Sequence, residues 1–175
     1  MTIKRIIYPI LCALLGLAAC KKDATNIKPA DTTDTSVVSN IATGINNSLM
    51  LKLVNDTRAT GCNCGTTAMP PVAPLKWNDV LASAALIHSK DMNATGQLIH
   101  NSSDGTTFSD RITTAGYKWS AVAENIAWGQ TTEQQVFNDW LQSEGHCKNI
   151  MTAAYKDFGA ARDGVYWTQD FGSPQ

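Results

Sequence analysis

The chain has 175 residues, of which 43% are hydrophobic and 17% are charged, and its formal charge is −1. This composition fits one ordinary globular domain with short additions and gives no indication of a second core. No basic patch is present that would favour nucleic acid as a partner.

The first 19 residues are typical of a secretory signal. Lys4 and Arg5 form a charged start, and Ile6 to Leu17 form an apolar run that is too short to cross a bilayer comfortably. Removal of Met1 to Ala19 takes away two basic residues and no acidic one, so the formal charge would move from −1 to −3.

Leu17-Ala18-Ala19-Cys20 resembles the lipobox of bacterial lipoproteins, in which the cysteine is acylated and becomes the new N-terminus. The alternative is an ordinary cleavage site followed by an incidental cysteine. We predict a lipoprotein signal peptide over 1–19, a lipidated Cys20 with a flexible tether over 20–40, and a folded domain over 41–175. The protein would then be anchored by lipid to a membrane of the bacterial cell envelope, on an extracytoplasmic face.

Helical spacing of apolar residues predicts a first helix from about Ile45 to Arg58, which Gly61 ends. The stretch from Cys62 to Leu75 contains three prolines and predicts a loop without regular structure. Asn78 is a plausible N-cap for a second helix, which Gly96 closes.

A third short helix is predicted from Thr107 to Ala115, and a short strand within the segment from Tyr117 to Trp128. Thr132 predicts the start of a fourth helix, which we expect Gly145 to end. Two strands, Phe158 to Ala161 and Val165 to Phe171, are expected to form a terminal hairpin at Asp163-Gly164. Helices followed by a hairpin predict an α+β fold.

Several short motifs follow one another between about residues 45 and 172. They are Leu75-Lys76-Trp77-Asn78, His100-Asn101, Arg111-Ile112, Glu124-Asn125-Ile126-Ala127, Gly145-His146, Asn149-Ile150-Met151 and Tyr166-Trp167-Thr168-Gln169-Asp170-Phe171-Gly172. In this order they resemble the CAP superfamily of SCP-like extracellular proteins, which includes cysteine-rich secretory proteins, antigen 5 and pathogenesis-related proteins. The resemblance implies a secreted α-β-α sandwich with a small, mainly antiparallel sheet. It also implies a cleft in which two His and two acidic residues can bind a divalent metal.

Carried onto this sequence, the resemblance assigns His100, Glu124 and His146 to that cleft. The second acidic position falls on Ser143, and the adjacent Glu144 would point about 100° away on a helix. Two His and one Glu still match a zinc site with an open position, so we predict that these three residues bind zinc or another divalent cation. The predicted cleft neighbours are Ser143, Glu144 and Asn125.

Each of these residues also has a structural explanation. His100 and His146 can be hydrogen-bonded structural histidines, and Glu124 can pair with Arg111 or a backbone amide. Next to a His, Glu124 can also act as a general base through water. His88 falls among apolar residues of the second helix and is predicted to be packed, outside the site.

Three cysteines remain for the folded domain once Cys12 and Cys20 are set aside, so one is left unpaired. The resemblance favours a disulfide between Cys64 and Cys147, with Cys62 as the alternative partner of Cys147. A metal site built on Cys62 and Cys64 is less favoured.

Three hypotheses follow for function. The first is a lipid-anchored CAP-domain protein that binds a small apolar ligand, a lipid, a metal or a protein partner, without catalysis. The second is a metal- or water-dependent hydrolase, a peptidase or esterase, that uses His100, Glu124 and His146. The third is a purely structural cleft, with function in the loops. The first is our leading hypothesis and rests on fold-level analogy, and the sequence alone does not choose among the three.

Overall fold

A computed structural model describes residues 39–175. The predicted signal peptide, the lipidated Cys20 and nearly all of the predicted tether therefore lie outside the described residues. The last two tether residues, Ser39 and Asn40, hydrogen-bond to the carboxylate of Asp79. No helix within 39–175 is long and apolar enough to cross a membrane.

This part of the chain forms five helices and six strands. In order they are α1 Asn47–Thr60, β1 Cys62–Cys64, β2 Thr67–Met69, β3 Lys76–Trp77, α2 Asp79–Thr95, α3 Phe108–Ala115, β4 Trp119–Trp128, α4 Glu133–Gln142, α5 Glu144–Met151, β5 Asp157–Asp163 and β6 Tyr166–Pro174. The mixture confirms the predicted α+β class.

The predicted helix ends are confirmed where local chemistry fixes them. The Asn78 side chain accepts hydrogen bonds from the backbone of Val80 and Leu81, and so caps α2. Gly96 ends this helix in the left-handed conformation that glycine adopts without strain. Thr132 caps α4 in the same way as Asn78 caps α2.

Two predictions for the chain path were wrong. The segment after Gly61 is not a structureless loop, because β1 and β2 pair as a short antiparallel hairpin. Gly145 does not end the fourth helix: α4 ends at Ser143, whose backbone is extended, and Gly145 and His146 lie in the first turn of α5. His146 is therefore a helical residue and not a turn residue. The predicted short strand near Glu124 is the ten-residue β4.

The main sheet has four strands in the order β3-β5-β6-β4. Only the β3–β5 pair is parallel, so the sheet is mainly antiparallel, and β4 forms one edge. Because side chains alternate along a strand, each face of β4 packs against a different helical layer. Ala123 and Ala127 face the large core that α1, α4 and α5 build. Val122 and Ile126, on the opposite face of β4, pack against the layer of α2 and α3.

The result is an α-β-α sandwich, as predicted. Its two apolar layers meet around the edge strand β4, and this is where the polar residues of the predicted cleft gather. Gly159 in β5 allows a close approach between α2 and the sheet, because a Cβ atom there would clash with the backbone nitrogen of Ala82.

Candidate functional site

Glu124 is the centre of the site. It lies in β4 on the face that packs against α2 and α3, and its side chain is fully buried. One carboxylate oxygen, Oε1, lies 2.9 Å from Nδ1 of His100, and the other, Oε2, accepts a 2.6 Å hydrogen bond from Nη2 of Arg111. Both oxygens of Glu124 are therefore engaged by neighbouring side chains.

His100 lies in the segment between α2 and α3, and two side chains hold the backbone of this segment in place. Arg111, in α3, donates to the carbonyl oxygen of His100 at 3.0 Å. Nε2 of His88, in α2, lies 2.9 Å from the carbonyl oxygen of Ile99 and donates to it, since a carbonyl can only accept. The imidazole of His100 is thereby fixed at its base and remains half exposed.

Asp170 adds a second buried carboxyl group behind Glu124. The two residues are register partners across β4 and β6, and Asp170 is 1% exposed. Among the residues that the structure describes, neither of its oxygens has a hydrogen-bond partner. Burial first, and then the charge of Glu124, raises the pKa of Asp170 well above its ordinary value, against a smaller opposite effect of Arg111.

This arrangement keeps the buried charge balanced. Arg111 and Glu124 carry opposite charges, whereas Asp170 favours its neutral, protonated form. Burial lowers the pKa of His88, only partly opposed by the charge of Glu124 3.9 Å away, so His88 also favours its neutral form. Net neutrality is expected here, because an uncompensated buried charge is costly.

His146 approaches the same edge from the opposite helical layer. Asn125, the neighbour of Glu124 in β4, points to the other face of the sheet and is fully buried. Its Nδ2 donates to the carbonyl oxygen of His146 at 3.2 Å, and its Oδ1 accepts from Asn149 at 2.8 Å. Burial, and then the nearby His100, lowers the pKa of His146.

A cleft with a volume of about 610 Å³ opens beside His100. Its lining comes from both helical layers and from β4, and it combines apolar with hydrogen-bonding side chains. The lining residues are His100, Asn101, Thr107, Phe108, Ser109, Val122, Ala123, Glu124, Asn149 and Tyr155. A cleft of this size and composition suits a small molecule.

His146 and all three predicted neighbours, Asn125, Ser143 and Glu144, are absent from this lining. Ser143 occupies the break between α4 and α5, where its backbone N–H donates to Asp139 and Trp140. Glu144 is exposed and pairs with Lys148 one turn further along α5. A Cβ atom on Gly65 would lie 2.8 Å from the Glu144 carboxylate, so this carboxylate faces the β1–β2 hairpin.

The donor set offers a divalent cation two imidazoles, from His100 and His146. Glu124 holds His100 from behind, as carboxylates behind metal-bound histidines commonly do. Within residues 39–175, a group of three residues with potential ligand atoms all within 4.8 Å of one another is formed by Cys62, Cys64 and Cys147, and not by His100, Glu124 and His146. Binding of zinc by the His and Glu residues stays a prediction, in which water or a ligand would fill the remaining positions.

The sequence interpretation placed Arg111 only as a structural partner and left His88 and Asp170 out of the site. All three contact or border Glu124 from the buried side. The available signal was the charged Asp170 in an otherwise uncharged strand sequence, Trp167-Thr168-Gln169-Asp170-Phe171. A buried acid in a strand requires a partner or a proton.

Cys64 and Cys147 form a disulfide that joins β1 to α5, with Cα atoms 5.4 Å apart, and Cys62 forms no disulfide with another cysteine of residues 39–175. This is the pairing that the family resemblance favoured. It ties the helix that carries His146 to the chain segment after α1.

Fold and site together define a class: a three-layer α-β-α domain with a polar cleft at the edge strand of its sheet. The sequence model described as "CAP: Cysteine-rich secretory protein family" matches residues 51–171, well over half of the chain. The chain belongs to the CAP family.

Two proteins of Bacillus subtilis are similar in sequence. The chain is 33% identical over 100 residues to YkwD and 31% identical over 100 residues to the membrane protein YlbC. These matches cover 56% and 57% of this chain, but 39% and 29% of the two proteins. The chain thus spans well under half the length of the curated relatives it matches.

Solved structures give the same fold. An extracellular protein of Bacillus anthracis that contains an SCP domain superposes with a TM-score of 0.65 at 26% identity, over 72% of this chain and 39% of that one. An outer surface protein of Borrelia burgdorferi superposes with a TM-score of 0.59 at 19% identity, over 73% of this chain and 89% of that one. At that lower identity, the similarity supports the fold alone.

Proposed function

We propose that this chain is an extracytoplasmic, lipid-anchored CAP-domain protein whose cleft binds a small ligand without catalysis. The N-terminal pattern ending at Cys20 supports export and lipidation. The disulfide between Cys64 and Cys147 fits an oxidising compartment. The Bacillus anthracis relative is an extracellular protein, which agrees with this location.

The observation that carries the binding proposal is the oriented imidazole of His100. Its Nδ1 is engaged by Glu124, which Arg111 holds in turn, and half of its side chain is open to solvent beside the cleft. With Nδ1 as the donor to the carboxylate, the other ring nitrogen is the acceptor. A preorganised polar group beside a mixed apolar wall is the usual arrangement of a ligand site.

The lining indicates the kind of ligand. Phe108, Val122 and Tyr155 offer apolar surface, while Asn101 and Asn149 offer hydrogen bonds. We propose a small amphiphilic ligand, such as a lipid or sterol, whose apolar body lies against the aromatic side and whose polar head reaches His100. The lining of this cleft includes His100 and Glu124 but not His146, so binding of a divalent cation by both imidazoles is a separate proposal.

The contacts of Glu124 favour binding over hydrolysis. A general base must reach the water or substrate whose proton it accepts. The side chain of Glu124 is fully buried, and its two oxygens are directed to His100 and Arg111. These contacts suit a residue that orients His100 better than one that takes a proton from a ligand itself.

Calorimetry of the full chain against Zn²⁺ and a panel of lipids and sterols tests the binding proposal. We expect His100→Ala to weaken binding at least tenfold, because the polar contact and the apolar contact are both lost. Gln134→Ala is the matched control, since Gln134 is exposed on α4 and lies outside the cleft lining. Absence of binding to every probe, or equal binding by His100→Ala, would contradict the proposal.

Incorporation of a tagged palmitate analogue tests the anchor separately. A bacterium that expresses the chain should label the wild type and leave Cys20→Ala unlabelled. Equal labelling of both, or of neither, would refute lipidation at Cys20 and leave the binding result unaffected.

A further inference from the structure

Three sulfur atoms form a compact cluster between β1 and α5. Cys62 and Cys64 are two residues apart on an extended strand, so their side chains leave it on the same side, towards Cys147. Sγ of the free Cys62 lies 3.7 Å from Sγ of Cys147 and 4.0 Å from Sγ of Cys64. A thiol thus lies in contact with both sulfurs of the Cys64–Cys147 disulfide.

Access to the cluster is one-sided. Cys64 and Cys147 are completely buried, whereas Cys62 is partly exposed. Cys62 lines a surface depression of about 380 Å³ together with residues of the β1–β2 hairpin, among them Asn63 and Met69. A small thiol or disulfide from solution would therefore meet Cys62 first.

We propose that these three cysteines form a thiol–disulfide exchange site, in which Cys62 attacks Cys147 and the disulfide moves from Cys64–Cys147 to Cys62–Cys147. The Cys62 thiol first loses its proton to water. Because Sγ of Cys62 lies at nearly equal distances from the two bonded sulfurs, its side chain must first rotate into line with the disulfide. Its thiolate then forms a bond to Sγ of Cys147 while the old bond breaks, and Cys64 leaves as a thiolate that takes up a proton. One thiol and one disulfide exist before and after, so no oxidant or reductant is consumed.

The geometry favours this exchange over a bond between Cys62 and Cys64. Residues two apart on an extended strand have Cα atoms about 6.6 Å apart, at the upper limit for a disulfide of about 6.8 Å. Cys147 is also the nearer sulfur. The two pairings with Cys147 close loops of 83 and 85 residues. Since loop entropy depends on the logarithm of length, both pairings constrain the unfolded chain equally, and packing around the hairpin decides between them.

The pH controls how fast the exchange runs. Burial raises the pKa of the Cys62 thiol, so little thiolate is present at neutral pH. Because only the thiolate attacks, the rate should rise about tenfold per pH unit below that pKa.

The test uses the full chain with Cys12→Ala and Cys20→Ala, so that only the clustered cysteines react. The oxidised protein is incubated at several pH values between about 6 and 9, and exchange is stopped with acid. The chain is then unfolded and alkylated with N-ethylmaleimide. Tandem mass spectrometry locates the label within the peptide that holds both Cys62 and Cys64.

Exchange predicts that labelled Cys64 appears beside labelled Cys62, about tenfold faster for each added pH unit. Cys64→Ser should hold a Cys62–Cys147 bond and no free thiol, while the matched control Cys62→Ser keeps the Cys64–Cys147 bond alone. Label confined to Cys62 at every pH overturns the proposal whatever the variants show. This measurement on the unchanged cluster does not depend on the folding of any cluster variant.

Discussion

Glu124→Gln and Arg111→Met, made singly and together, measure how strongly the buried ion pair supports the His100 segment. The side chain of Glu124 is fully buried and that of Arg111 is 4% exposed, with 2.6 Å between the bonded atoms. Arg111 also donates to Ser102, to the carbonyl oxygen of Thr106 and to that of His100. Loss of either partner leaves the other charge buried and only partly compensated.

Removal of one partner of a buried ion pair typically costs about 3–5 kcal/mol of folding free energy. Glu124→Gln keeps an acceptor for Arg111, so we expect about 3 kcal/mol. Arg111→Met also loses three hydrogen bonds, so we expect about 5 kcal/mol. The double variant contains neither charge, and its cost should fall short of the sum by about 2 kcal/mol or more. A loss of about 3 kcal/mol corresponds to a fall in Tm of about 10 °C for a domain of this size.

Urea unfolding, followed by fluorescence of the buried Trp140 and Trp167, supplies the four free energies of unfolding under oxidising conditions. The exposed pair of Glu144 and Lys148 is the matched control. The cycle of Glu144→Gln and Lys148→Met should give a coupling of at most about 0.5 kcal/mol. An Arg111–Glu124 coupling no larger than that of the control would refute the reasoning.

Three further predictions concern stability. Gly159→Ala should destabilise the domain by about 3 kcal/mol, because a Cβ atom there meets the backbone of α2, whereas Gly145→Ala, with open space around it, should be neutral or slightly stabilising in urea titrations. Asn78→Ala should lower the free energy of unfolding by about 1 kcal/mol through the lost cap of α2, and a decrease smaller than about 0.2 kcal/mol would contradict this prediction. The pKa values of His88 and His146 are lowered in the folded state, so their protonation favours the unfolded chain and lowers the free energy of unfolding as pH falls below about 6.5, whereas the raised pKa of Asp170 contributes in the opposite direction. His88→Gln should reduce this decrease between pH 8 and pH 5, and an unchanged pH dependence would exclude His88 as a cause.

Local sequence chemistry determined where most helices begin and end. Asn78, Gly96 and Thr132 act within one turn of themselves, through hydrogen bonds to backbone groups two or three residues away or through a left-handed backbone. The turn at Gly164 between β5 and β6 is local in the same sense. Such interactions depend only on neighbours in the sequence, so the sequence is enough to predict them.

The β1–β2 hairpin and the start of α5 were not predictable in this way. Strands of three residues have little intrinsic stability, and here Cys64 of β1 is bonded to Cys147 in α5. Gly145 favours a helix end, yet α5 continues through it because Cys147, Ile150 and Met151 are buried in the core. In both places, contacts between residues distant in sequence outweigh a weak local preference.

The sequence by itself determined the family, the α-β-α class and the motif residues His100, Glu124 and His146, because ordered motifs and helix-capping chemistry are written locally. Only the tertiary structure decided which groups surround Glu124. His88, Arg111 and Asp170 come from α2, α3 and β6, and no spacing in the sequence indicates that they meet. Their protonation also depends on burial, since the cost of a charge is set by the surroundings that the fold creates and not by the residue type.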